Sequence, residues 1–463
     1  MTEHTAPVRI GWGRKEITPP RPCMLQGQFY VRISEGVADP LYATACAVDG
    51  GTPDAQAVMV SCDLTGVSRK LQDLVRQKLA GKLAGLDLSR IFLNATHTHT
   101  APVTGSHWYP PPPSGVMTPE ECAEVVAEKA AQAVEEAWNR RSAGGVSWAL
   151  SHAVVGHNRR VLYRDGTVKM YGKTDDPAFE SMEGSEDHSV GLLCTWDAKG
   201  DLTGVVVNLA CPSQLSEHEM KVSADFWCDI RAELRRRLGD VYVLPQCAPA
   251  GDQSPRYLVN RALEAEMCSR RGLTPRQEVG RRVAEAVVGA VPVAHRYISS
   301  ETVVAHAVEQ VALPVRMVTE KERDAAEAAI ARIESDPKID EKAKHGLVTW
   351  HRRILNRFEE QNSHPVLPVE LHVIRIADVA IATNPFELFL DYGHRIRARS
   401  PAALTLCVQL AAGSEGYLPT ERAVRGGGYG AEVMSNKVGP EGGRMLVERT
   451  LAHLAELWAA TGG

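Results

Sequence analysis

Along the chain, short apolar runs alternate with amphipathic stretches, which predicts interleaved strands and helices. Runs rich in Val, Ile and Leu, bounded by Gly, Pro or Asp, fit strands over 9–13, 43–48, 57–62, 90–95, 204–210, 241–245, 370–376 and 404–410. Many of these runs are continuously apolar, as in strands covered on both faces. Helical periodicity fits 69–84, 119–141, 229–238, 277–290, 320–335, 342–360 and 444–460. Thr118, with Glu121 three residues later, has the form of a capping box ahead of the second helix. The most charged stretch, 320–360, reads as a solvated helical hairpin broken near Asp336-Pro337, an insertion or lid rather than chemistry. No internal repeat and no long linker interrupts the pattern. The expectation is an α/β fold of mixed β-sheets flanked by helices, with residues 1–463 forming one compact catalytic unit and a helical insertion at 320–360.

Composition narrows the function. Of 463 residues, 52 are Lys or Arg and 57 Asp or Glu, and the net charge of −5 removes the electrostatic case for nucleic acid. No run approaches the ~20 apolar residues of a membrane span. No amphipathic membrane-surface helix stands out, so no stable membrane association is expected. The N-terminus lacks the basic start and apolar stretch of a secretory signal, and the ten cysteines are dispersed without a CxxC pair. Buried, reduced thiols in a cytoplasmic protein are the expectation. The expected partner is a small-molecule substrate. The oligomeric state is left open.

Four polar clusters interrupt this pattern. His97 and His99 follow the apolar run ending at Leu93. On an extended chain residues two apart point the same way, which would set two imidazoles side by side for a metal, or for an ordinary hydrogen-bonded loop. Ser254 lies in Gly251-Asp252-Gln253-Ser254-Pro255, where a turn after a strand can present a hydroxyl beside backbone N–H groups. A plain hydroxyl-capped turn fits as well. Glu387, after the run 373–383, suits a ligand or general base, or a helix first turn. Tyr417 precedes a glycine cluster, Gly426-Gly427-Gly428-Tyr429-Gly430, that matches no phosphate-binding fingerprint and reads as a binding loop.

Taken in order, these landmarks resemble the catalytic domain of the neutral/alkaline (non-lysosomal) ceramidase family. The segment from Gly11 to Pro20 is similar to its GxxxxDITPP opening, with Glu16 for Asp. Asp39 to Ala43 matches DPLYA, Ala95 to His99 matches ATHTH, and Asn158-Arg159 its NR segment. Val222 to Phe226 resembles ISADY, Gly251 to Pro255 GDxSP, Pro385 to Glu387 the GEF segment, and Gly416 to Thr420 GYxTT. The resemblance spans residues 11 to 430.

The family's catalytic Zn2+ is held by two His, one Glu and one Tyr. The resemblance maps His97, Glu387 and Tyr417 onto three of these ligands. It also implies that His99 faces the substrate carbonyl, that Arg159 is an active-site arginine, that Tyr429 is the second tyrosine, and that Ser254 is the proposed nucleophile. The second zinc histidine is missing: an ACHPT-like segment is replaced by Leu209-Ala210-Cys211-Pro212-Ser213-Gln214. Aligning the prolines puts Cys211, a chemically suitable thiolate, at that position. His218 reaching in, or a site without zinc, are the alternatives. The family's C-terminal immunoglobulin-like domain and secretion signal have no counterpart, so a small soluble substrate is expected rather than ceramide in a bilayer. The resemblance thus implies a zinc-dependent hydrolase of an amide (N-acyl) bond, with Ser254 and a metal-bound water at the reacting carbonyl. Two further readings are a hydrolase of a glycoside, lactone or ester on the same scaffold, and a non-catalytic binding protein.

Overall fold

The interior of the protein is built where two β-sheets face each other. The computed structural model describes residues 6–105 and 109–459. Eight strands form the larger sheet, in the order Tyr242–Cys247, Leu202–Leu209, Ser189–Asp197, Ser142–His152, Arg9–Glu16, Tyr42–Asp49, Gln56–Cys62 and Ile91–Ala95. A four-stranded sheet lies against it, ordered Val304–Pro314, Val366–Ile376, Val379–Thr383 and Leu404–Val408. Both sheets are mixed: the pairs 56–62/91–95, 202–209/242–247 and 379–383/404–408 are parallel, and the other strand pairs are antiparallel.

Strand alternation explains the layers. Cys46, Val48, Met59 and Val206 point to the inter-sheet core, where they join Ile374, Ile381 and Leu406 of the second sheet. Their neighbours Ala45, Ala47, Val58 and Val60 face the other way, against the helices Arg69–Leu79 and Pro119–Asn139. Val205 and Val207 likewise face Phe226–Leu238 and Pro275–Ala294. The outer face of the small sheet, with Val373, Ala380 and Cys407, is covered by Leu446 and Leu454 of Pro440–Ala459. The result is a helix–sheet–sheet–helix sandwich, and the expected α/β class of mixed sheets flanked by helices is the one found.

Each element expected from the sequence is present, with shifted ends. The first helix stops at Leu79 rather than residue 84, just before Gly81 turns into the left-handed region at φ 75°. The last helix ends at Ala459; its expected final residue, Ala460, lies outside the described residues. The Thr118–Glu121 capping box is present, with Thr118 Oγ1 accepting from the Glu121 N–H at 3.2 Å. The 320–360 stretch forms the expected hairpin, Glu320–Ser335 and Glu341–Glu360. All ten cysteines are free thiols, nine of them buried. Among the described residues no helix is long and apolar enough to cross a membrane.

One buried carboxylate ties down the helix Pro275–Ala294. Glu278, its side chain 3% exposed, accepts from Arg281 and Arg271 at 2.9 and 2.8 Å and from Arg282 at 2.8 Å. Arg281 leads in holding its carboxyl down to about 2, with Arg282 adding to the effect against the opposing pull of burial. A carboxyl depressed in the folded state contributes stability above its unfolded pKa and loses it as the pH falls toward the folded one. Glu278→Gln is therefore expected to cost up to about 3 kcal/mol at pH 7 and to flatten the loss of stability between about pH 4.5 and 2. Denaturant unfolding at a series of pH values measures this, and an unchanged acid limb would contradict it.

Candidate active site

Three parallel strand pairs deliver their C-terminal ends to one region, where α/β sheets commonly build sites. Ile91–Ala95 leads into Thr96 to His99, and Gln56–Cys62 into Thr65. Val379–Thr383 leads to Glu387, and Leu404–Val408 to Tyr417. Leu202–Leu209 leads to Gln214, and Tyr242–Cys247 to Ser254. The two sheets are stitched together here: Ala95 N–H donates to Leu410 O at 3.1 Å and Ala412 N–H to Leu93 O at 2.9 Å. The stitch holds strained backbone, with φ 51° at Leu410, 55° at Ala412 and 64° at His97.

His97 and His99 do come together, by a route other than strand alternation. The strand ends at Ala95, and the left-handed turn at His97 brings the two rings edge to face, 4.8 Å between centroids. The His99 ring packs on Gly27, where a Cβ would sit 2.5 Å from it; only glycine fits.

Hydrogen-bond partners settle the tautomers. His97 Nδ1 lies 2.6 Å from the Thr65 carbonyl oxygen, which can only accept, so Nδ1 carries the hydrogen. Gln214 Oε1 accepts from Arg159 at 3.2 Å, which turns its amide nitrogen toward His99 Nε2 at 3.0 Å. His99 Nε2 is therefore an acceptor, and its Nδ1–H side faces Glu217 at 3.5 Å. Two acceptor nitrogens thus stand 3.3 Å apart, and the Glu387 carboxylate lies 3.4 Å from His97 Nε2.

Buried charges surround this centre. Burial would raise the Glu387 carboxyl, but His97, Arg159 and Tyr417 outweigh it and hold it below the ordinary range. Burial pushes His99 down to about 4, against the pull of Glu217, leaving a neutral imidazole at pH 7. Glu217 is itself held down to about 2: His99 and an ion pair to Arg256 overcome its burial. Burial, followed by Glu387, raises the Tyr417 phenol well above its usual value. Arg159 donates to Tyr417 Oη at 3.2 Å and to Gly251 O at 2.9 Å, and so grips the tyrosine and Gln214 together. A cavity of about 570 Å³ opens over His97, His99, Glu387, Tyr417 and Tyr429.

The other residues expected in the site are placed differently. Glu387 is in a two-residue strand paired with Tyr417–Leu418, not in a helix first turn. Ser254, fully buried, accepts from Tyr171 Oη–H at 3.2 Å and from Arg256 N–H at 3.1 Å, and it does not line the cavity. The Cys211 thiol turns into the apolar cluster of Val207 and Phe226, donates to Val155 O at 3.2 Å, and is pushed well up by burial. His218 is exposed, 3.4 Å from Tyr30 Oη. Neither Cys211 nor His218 joins His97 and Glu387. From the altered segment it is Gln214 that reaches the histidines. Gln214, Glu217, Tyr171 and Thr65 carry no functional signature in the sequence, since a polar residue in a polar loop forms no pattern. The DPLYA and SAD motifs brace that loop: Asp39 accepts from Ser223 Oγ at 2.9 Å and Ala224 N–H at 2.7 Å, and Asp225 accepts from Ser216 N–H at 2.6 Å.

Among the described residues, no three His, Cys, Asp or Glu side chains converge on a point suited to a metal ion. The donors present are instead two of those types plus a phenol: His97, Glu387 and Tyr417. Their chemistry fits a cation. His97 Nε2, with no hydrogen of its own to offer, lies 3.4 Å from the Glu387 carboxylate, so a cation between them would satisfy both, and catalytic zinc takes three protein ligands with one position open.

No family model and no curated protein matches this sequence. Among solved structures, the chain is similar to the neutral ceramidase from Pseudomonas aeruginosa, with 16% identity and a TM-score of 0.72 over 98% of this chain and 75% of that one. It is also similar to a ceramidase complexed with C2, with 14% identity and a TM-score of 0.68 over 98% and 76% of the two chains.

Proposed function

For a chain with the fold of the neutral ceramidases, we propose a metal-assisted hydrolase of amide (N-acyl) bonds. One observation carries this reading: His97, His99, Glu387 and Tyr417 meet at the floor of one cavity, on the strand ends of two sheets. Zinc held by His97, Glu387 and Tyr417 would supply Lewis-acid polarisation of the scissile carbonyl. Every other part belongs to the chain. His99, neutral and backed by Glu217, has the build of a proton carrier: its Nε2, exchanging the Gln214 N–H for the attacking water, takes the water's proton and returns it to the leaving amine. Tyr429, its phenol pushed up by burial, keeps its proton and can donate to the developing oxyanion. Arg159 is a positioning residue, acting through Tyr417 and Gln214. Thr65 fixes the His97 ring.

The placement of Ser254 supports attack by water with the serine in the framework, since two donors already occupy its oxygen outside the cavity. Ser254→Ala is then expected to cost no more than about 10–100-fold in activity, a loss of the size that removing supporting groups produces. A loss of several orders of magnitude would reinstate the serine as nucleophile. The overall test assays the purified protein on N-acyl amides beside esters and glycosides, before and after chelation and with zinc restored. Amide cleavage that is lost and then recovered is expected. Cleavage of glycosides or esters alone overturns the amide reading, and full activity without metal overturns the zinc.

A further inference from the structure

The same cavity continues away from the histidines to a wall of arginines. The helix Glu341–Glu360, expected to be a lid without chemistry, places Trp350, Arg353 and Arg357 along it, and Arg316 and Lys437 join from neighbouring segments. Two of these cations are committed elsewhere. Lys437 pairs with Glu415 at 2.6 Å, and Arg316 bonds Ala431 O and Asn436 Oδ1 at 2.7 and 2.8 Å and Glu322 at 3.3 Å. Among the described residues Arg357 donates to neutral carbonyls, Val433 O at 2.6 Å and Arg316 O at 2.8 Å. Arg353 lines the cavity, is exposed to solvent, and lies over the Trp350 ring at 5.6 Å. Among the described residues, no carboxylate forms an ion pair with Arg353 or Arg357, although Glu360 also lines the cavity.

A folded protein ordinarily pairs crowded guanidiniums or leaves them in bulk water. Here burial, then the like charges of Arg316 and Arg353, hold Arg357 down to about 10. The wall is short of negative charge. Between it and the reacting centre Tyr417, Tyr429 and Trp350 line the cavity, joined by edge-on contacts through the exposed Phe29: Tyr417 to Tyr429 at 5.4 Å, Tyr429 to Phe29 at 5.5 Å, and Phe29 to Trp350 at 5.5 Å.

We propose that the substrate is an anionic amide: its scissile bond sits over His97 and Glu387, an apolar arm follows the aromatic path, and a carboxylate or phosphate at the end of that arm is held by Arg353 and Arg357. This assignment rests on the amide-hydrolase reading above. Guanidinium forks suit both oxyanions, and the arm length between bond and charge sets the selection.

The test uses N-acetyl-ω-aminoalkanoates and N-acetyl-ω-aminoalkyl phosphates of increasing spacer length, each carboxylate beside its neutral carboxamide. Wild-type protein is expected to favour the anion in kcat/KM by roughly 10–100-fold at the best spacer, the scale of a hydrogen bond to a charged group. The carboxylate and phosphate series separate the two sources of charge. In Arg353→Gln the preference for the anion falls about tenfold, mainly through KM. Arg357→Lys keeps the charge but loses the fork, so it is the second variant should the loss of Arg357's backbone bonds matter. Equal handling of anion and carboxamide at every spacer, unchanged by Arg353→Gln, overturns the anion site and leaves the amidase reading intact. If no amide is cleaved, that reading fails, and calorimetric binding of N-acetyl-8-aminooctanoate judges the site alone. Weaker binding by Arg353→Gln supports it, and identical binding overturns it.

Discussion

Glu387→Gln is expected to lower kcat/KM on an N-acyl substrate by about 10²–10³-fold, the cost of deleting a preorganised electrostatic group from a reacting centre. The substitution preserves volume and the strand pairing to Tyr417, so the fold has no reason to change. What it removes is charge. The carboxylate 3.4 Å from His97 Nε2 is the anion nearest that nitrogen's acceptor side, and Arg159 and Tyr417 also hold it ionised. A neutral amide there weakens the hold on any cation between the two side chains. The loss should therefore appear in kcat more than in KM, together with less zinc per mole of protein by elemental analysis. Activity within threefold of wild type at unchanged melting temperature would remove Glu387 from the chemistry.

Arg160→Met is expected to be the most damaging single change to stability, about 3–5 kcal/mol, because it breaks a buried ion pair from one side. Arg160 is fully buried, and its guanidinium meets Glu183 at 2.5 and 3.1 Å. It also donates to the carbonyls of Tyr429 at 3.0 Å, Gly427 at 2.8 Å and Ala423 at 3.3 Å. Removing it strands Glu183, whose side chain is 4% exposed, and takes a donor from two carbonyls of the glycine-rich loop, those of Gly427 and Tyr429. That loop carries Tyr429, so activity should fall with stability. The double variant Arg160→Met/Glu183→Leu is expected to regain part of the stability, since an apolar pair leaves no charge stranded. Denaturant unfolding of the three proteins decides it, and a loss under about 1 kcal/mol for the single variant would contradict the account.

The parts of the fold that could be read from the sequence were those with a one-sided physical signature. Gln56–Cys62 and Ile91–Ala95 are buried on both faces, and their centres, Ala57 to Val60 and Ile91 to Leu93, read as unbroken apolar runs. Ser142–His152 begins Ser-Ala-Gly-Gly and alternates with exposed positions, so its pattern was too dilute to mark a strand. Leu390–Arg399 is dense in arginine and contains Gly393, needed because a Cβ there would meet Pro249 at 2.7 Å. The close packing that makes this helix necessary also erased its helical signal.

The site divides in the same way. His97, His99, Glu387 and Tyr417 each interrupt or follow an apolar strand, and such contrast is visible in one dimension. Gln214 and Glu217 owe their positions to a loop braced by Asp39 and Asp225, which no local pattern reports. Aligning prolines could suggest Cys211 for the missing ligand, but side-chain direction at a strand end depends on the backbone turn. That turn sends Cys211 into the core and Gln214 toward the histidines.

The stitch between the two sheets has a consequence for when this chemistry can exist at all. His97 follows the last strand of the large sheet, Glu387 and Tyr417 follow strands of the smaller one, and most of the chain lies between them in sequence. A chain emerging from the ribosome carries His97 long before it carries Glu387 or Tyr417 for that histidine to work with. Until the second sheet has formed and docked, the growing polypeptide holds only isolated, solvated side chains. On the proposed reading catalysis needs both sheets, and hydrolytic activity during refolding is expected only once they have docked, never with the first sheet alone.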